Sequence, residues 1–95
     1  GTNMTILIDG ANAAVISDKT VTVGPSGGVI TFGAVADNWT GTSVKIEMRV
    51  GSAWQETGIV FSAAGPAQNG TFGPNVILRA NATAVVGGGN LTVSA

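Results

Sequence analysis

Glycine and proline interrupt this sequence so often that a helix of ordinary length has no room. Fifteen Gly and three Pro are spread over 95 residues. The stretches between them are short runs rich in Val, Ile and Thr, side chains that favour a pleated strand. No window carries apolar residues at the i, i+3, i+4, i+7 spacing of an amphipathic helix. Residues 43–50 carry the opposite signal: Val44, Ile46, Met48 and Val50 fall on one side of an extended chain, and Lys45, Glu47 and Arg49 on the other. That alternation predicts a half-buried antiparallel strand. Its apolar side belongs to the core and its charged side meets water or a polar partner, with Glu47 paired to the basic residues flanking it.

Weaker alternation marks the other strands. Met4, Ile6 and Ile8 share one face of a first strand, and Ala13–Ser17 is a short apolar run. Val21 and Val23 point inward next, followed by Ile30 and Phe32 after the breaker loop Gly24–Gly28. Residues 53–61 form a strand broken at Gly58, which predicts a bulge or a tight turn. Residues 75–86 read as one long strand with Val76, Leu78, Ala80, Ala82, Ala84 and Val86 on one face. Gly87-Gly88-Gly89-Asn90 then predicts a turn that pairs this strand with Leu91–Ala95 as a C-terminal hairpin. Ser62–Gly73 is polar and Gly-containing, and reads as a long contact loop. Seven to eight short strands, spaced about 8–12 residues apart with turn chemistry between them, predict an all-β, antiparallel sandwich, Ig-like or jelly-roll-like. The prediction is a single domain over residues 1–95, with 1–4 as an N-terminal arm.

Composition narrows the chemistry. His, Cys and Tyr are absent from the sequence. No imidazole or thiol can act as base, nucleophile or metal ligand, and no disulfide can form. The five acids are scattered, with no calcium-loop spacing, and neither Gly-rich stretch is followed by a helix that could cradle a phosphate. The expectation is therefore no enzyme, no cofactor and no metal. Four cations against five anions, a net charge of −1, cannot neutralise a phosphate track, and no apolar run approaches the length of a membrane-spanning helix. Neither nucleic acid nor membrane is an expected partner. Five Asn-x-Thr triplets fit turn-to-strand junctions, where both residue types are at home, the alternative being glycan acceptors of a secreted eukaryotic protein. Trp39 and Trp54 are read as core or core-edge groups, the alternative being exposed sugar-stacking platforms. Charged residues are only 9% of the chain, against about 25% in average domains. Depletion of charge is a property of interface cores.

From Trp39 onward the chain resembles the short β-sandwich polypeptides encoded among the head and tail genes of tailed phages. The resemblance is carried by Trp39-Thr40-Gly41-Thr42-Ser43-Val44-Lys45-Ile46-Glu47, Trp54-Gln55-Glu56-Thr57-Gly58, Phe61-Ser62-Ala63-Ala64-Gly65 and Leu78-Arg79-Ala80. Residues 1–38 lie outside it. Some proteins of that class decorate or cement the capsid, commonly as trimers. The resemblance implies a structural virion protein on the capsid exterior that bridges coat subunits. Its partners would be the major capsid protein or other virion proteins, and itself. A tail, head-fibre or adaptor component, and a carbohydrate-binding or adhesin-like module, are the alternatives. The expected contact residues are Gly1, Thr2, Asn3 and Met4 of the arm and Pro66, Gln68, Asn69 and Phe72 of the 62–73 loop.

Overall fold

A computed structural model describes residues 4–95. It is all-β, with nine strands in two antiparallel sheets: β1 (Ile6–Ala11), β2 (Val15–Ile16), β3 (Val21–Thr22), β4 (Gly28–Val35), β5 (Ser43–Val50), β6 (Ala53–Phe61), β7 (Gln68–Phe72), β8 (Ile77–Ala84) and β9 (Leu91–Ser94). The first sheet runs β1-β9-β4-β7. The second runs β2-β8-β5-β6, with β3 also paired to β8. β2 and β3 are two short pieces of one edge. Ser17 joins them to β8, its hydroxyl accepting from the Ala80 N–H at 3.0 Å and donating to the Lys19 carbonyl at 2.9 Å. Counted as one strand, they reduce the fold to two four-stranded layers. Apart from the β2–β3 step, only the β5–β6 hairpin stays within a sheet, and every other connection crosses between them. This is the order of a jelly roll.

The core lies between the sheets. Phe32, Ile46, Leu78, Leu91, Val23, Val44 and Val93 are its largest fully enclosed side chains. Burying each is worth roughly 2 kcal/mol against leaving it in water. The alternation read in β5, β8 and β9 places Val44, Ile46, Leu78, Ala80, Ala82, Leu91 and Val93 inside. Met48 packs against this core only partly buried, and Val50, paired with Ala53 at the turn of the β5–β6 hairpin, is exposed.

Four expectations are corrected. In β1 it is Leu7 and Ile8 that are buried, while Met4 and Ile6 are exposed. Register shifts between Ile6 and Ile8 and between Ile8 and Ala11 let two successive residues face inward. The predicted C-terminal hairpin does not form. β8 pairs with β5, β2 and β3, whereas β9 pairs with β1 and β4, so Gly87–Asn90 carries the chain from one sheet to the other. The 62–73 segment is not one loop either. Residues 62–67 are an exposed connection, and Gln68–Phe72 is β7, paired residue by residue with β4 from Phe32↔Gln68 to Gly28↔Phe72. β7 has too few β-branched residues to show itself by propensity. It is held by Phe72, whose ring meets Phe32 edge-on at 6.3 Å and fills the space beside Gly70, where a Cβ would lie 2.5 Å from it. Finally, Glu47, read as part of a charged face turned to water or a polar partner, is paired but only 6% exposed. Of the bulge or tight turn expected at Gly58, the structure has the bulge. Between Lys45↔Val60 and Glu47↔Glu56 strand β6 carries extra residues, and Gly58 takes φ 91°.

Candidate interaction surface

The outer faces of the two sheets differ in charge. β5, β6 and β8 hold Lys45, Glu47, Arg49, Glu56 and Arg79. The Arg79 Nε donates to Glu47 Oε1 at 2.9 Å and the Asn81 Nδ2 donates to the same oxygen at 3.4 Å. Lys45 Nζ lies 3.7 Å from Glu47 Oε2 and donates to Glu56 Oε1 at 2.6 Å. The short bond between Lys45 and Glu56 holds the Lys45 ammonium above its ordinary pKa and the Glu56 carboxyl below its own, with coulombic attraction adding to both. The Arg79 guanidinium also lies over the Trp54 ring, 4.1 Å from its centroid. Arg49 takes no part in the network, since its Nε donates to the Gly51 carbonyl at 3.1 Å. Glu47 is thus paired with Lys45 as expected, and with Arg79 across the sheet where Arg49 was expected. Lys45, Asn81 and Arg79 cover Glu47, which explains how a carboxylate can be buried on an outer face.

The four strands of the other sheet contain one charged residue, Asp9, on the edge strand β1. β4, β7 and β9 contain none. Their outward residues include Val29, Thr31, Val35, Asn69, Thr71 and Thr92, and Val29 and Val35 are 60% and 66% exposed. Thr31 Oγ1 donates to Asn69 Oδ1 at 2.7 Å, and Thr92 Oγ1 accepts from the Gly10 N–H at 3.1 Å. The result is a neutral face of hydroxyl, amide and methyl groups.

The expected contact residues divide. Gly1, Thr2 and Asn3 lie outside the described residues. Met4 is 73% exposed and Pro66 is exposed in the 62–67 connection. Asn69 stands on the neutral face. Gln68 and Phe72 point inward instead. Gln68 ties the two sheets together, its Nε2 donating to the Val60 carbonyl at 2.7 Å, and Phe72 packs on the core. Both hold β7 in place rather than offering a contact. Val29, Thr31 and Val35 were not foreseen as surface candidates, although the absence of charge from residues 28–35 could have pointed to them.

Both tryptophans are partly buried, with Trp39 against the core and Trp54 beneath Arg79. A cleft of about 360 Å³ opens between β1 and the segment from β2 to Lys19, lined by Ile6, Leu7, Ile8, Val15 and Ile16 among others. Among the described residues no three Asp or Glu side chains gather in a metal-binding group. No family model, no curated protein and no solved structure matches the chain.

Proposed function

We propose that the chain is a structural part of a phage particle that decorates the capsid and stabilises it by bridging coat subunits. The observation that carries the reading is the neutral outer face of β4, β7 and β9, opposite a face that holds five of the nine charged residues. A surface bearing exposed Val29 and Val35 and no charge suits burial against a neighbour, because interface cores lose charged groups. Supporting it are the jelly-roll order, an architecture that viral coat and lectin domains share, and the resemblance of residues 39–95 to small virion proteins. Fold alone does not assign the role. The carbohydrate-binding alternative gains less support, since Arg79 covers one face of the Trp54 ring and Trp39 packs inward.

The test is a copy count by mass spectrometry on purified particles, followed by add-back. Particles lacking the protein should rupture at lower temperature, wild-type protein should restore them, and Val35→Glu should not. A handful of copies per particle, or copies confined to the tail, would replace the cement reading with the tail or adaptor one.

A further inference from the structure

A sheet edge exposes alternate backbone N–H and C=O groups, and folded proteins guard such edges with bulges, charge or brevity. Three of the edges here are guarded. β1 carries two register shifts and Asp9. The β2–β3 edge is two pieces of two residues each. β6 is bulged at Gly58 and bears the Glu56 end of an ion pair. β7 has none of these devices over its five residues. Its ladder to β4 is unbroken from Gln68 to Phe72, it is uncharged, and its neighbour toward the interior, β4, is uncharged as well.

We infer that β7 pairs with β7 of a second copy, antiparallel about a twofold axis at Gly70, joining the two neutral sheets into one. Two observations select a second copy as the occupant. First, the strip is neutral, so its complement must be neutral, and among the strand edges described only β7 itself combines neutrality with an unbroken ladder. Second, the side-chain groups left over on β7 match each other. Asn69 Oδ1 is occupied by Thr31, while Asn69 Nδ2 and Thr71 Oγ1 have no hydrogen-bond partner among the described residues. A twofold centred on Gly70 sets Asn69 opposite Thr71 of the other copy, twice, placing a free amide donor beside a free hydroxyl acceptor. Directly opposed Cβ atoms in such a pair stand about 4.5–5.5 Å apart. Five residues a side bury on the order of 500 Å² in total, below the ~1,000 Å² of a stable interface. The free chain therefore pairs weakly, and a covalent trap is the suitable probe. The inference is independent of any particle.

The chain contains no cysteine, so engineered thiols report cleanly. The variant N69C/T71C, concentrated and mildly oxidised, should yield covalent dimer as its main product, because each thiol meets its counterpart at disulfide range. N69C alone and T71C alone, whose like residues sit diagonally across the axis, should trap at least tenfold more slowly. V60C, exposed on the bulged β6 edge, should trap no faster than the single variants. Without any thiol, the wild-type chain should show reversible dimerisation by sedimentation at millimolar concentration, and Asn69→Lys should remove it. Equal trapping of all the thiol variants, or a wild-type chain that stays monomeric at millimolar concentration, would overturn the inference. All of these readouts use the free chain, so their outcome is separate from that of capsid add-back, which tests the decoration reading.

Discussion

Outside β5, β6 and β8 the chain places Lys45, Glu47, Arg49, Glu56 and Arg79, and outside β4, β7 and β9 it places no charge at all. The two faces do different work. On the charged side, Glu47 is pinned by Arg79 and Asn81 of β8 and by Lys45 of its own strand, and Lys45 reaches Glu56 of β6, so the network stitches three strands of one monomer together. On the neutral side, the Thr31–Asn69 bond is the one side-chain bond that links β4 to β7, and Val29 and Val35 stand in water with nothing to cover them. Charge here marks what the monomer uses itself, and its absence marks what is left for a neighbour.

The comparison can be broken in four ways. The largest effects should be equal on both sides, because both sheets present the same kind of inner surface. Phe32→Ala and Leu78→Ala should each lower unfolding free energy by about 3–4 kcal/mol in denaturant titration. A large disparity would mean that one sheet alone carries the core. Arg79→Ala comes next, at about 3 kcal/mol, since it leaves a buried carboxylate with only Lys45 and Asn81 and uncovers Trp54. A loss under 0.5 kcal/mol would show that the charged face contributes nothing to the monomer. Val35→Glu, on the neutral face, should change monomer stability by less than about 0.5 kcal/mol while abolishing particle rescue.

The smallest effect is on pH dependence. The folded pKa of Glu56 is lowered, so its contribution is present above its unfolded value, ~4.3, and is lost as pH falls through the folded one. The folded pKa of Lys45 is raised, so its contribution is full below its unfolded value, ~10.4, and is lost as pH rises through the folded one. Glu56 is solvent-exposed and Lys45 partly so, and the pair is screened by salt. Glu56→Gln should therefore flatten the melting temperature slightly at both extremes of pH, with no change in shape between them. No such flattening would mean the pair is not maintained in solution.

How much of this was legible depends on where alternation survives. β5 keeps an unbroken period of two, and the inner faces of β8 and β9 follow the same rule, so the sandwich and much of its core were readable. Leu7 and Ile8 were not, because a bulge turns two successive side chains inward, and period counting has no sign for that. β7 escaped because its inward residues are Gln68, Gly70 and Phe72, a polar group, a gap and a ring that fills the gap. Its identity rests on Phe32, thirty-six residues earlier than the Gln it pairs with and brought there only by the fold. The Gly87–Asn90 turn has hairpin chemistry, yet sheet membership is decided by which inner face the flanking strands must cover. Of the expected contacts, Asn69, Met4 and Pro66 are on the surface, while Gln68 and Phe72 were claimed by packing that no local pattern encodes.

The position of β9 sets the order in which the molecule can be made. It lies between β1 and β4, pairing with Ser94 opposite Ile6 on one side and opposite Gly33 on the other. During synthesis, β5 and β6 can meet as soon as their hairpin emerges, and β8 can join them. The first sheet cannot close at all until residues 91–94 are available. A chain stalled before Leu91 would leave β1 without its strand partner and β4 with one bare side, both apolar and open to other chains. Closing a loop of that length before any ladder forms is slow. The strand that commits the first sheet is thus β9, and the nascent chain carries its greatest risk of mispairing just before residues 91–94 become available.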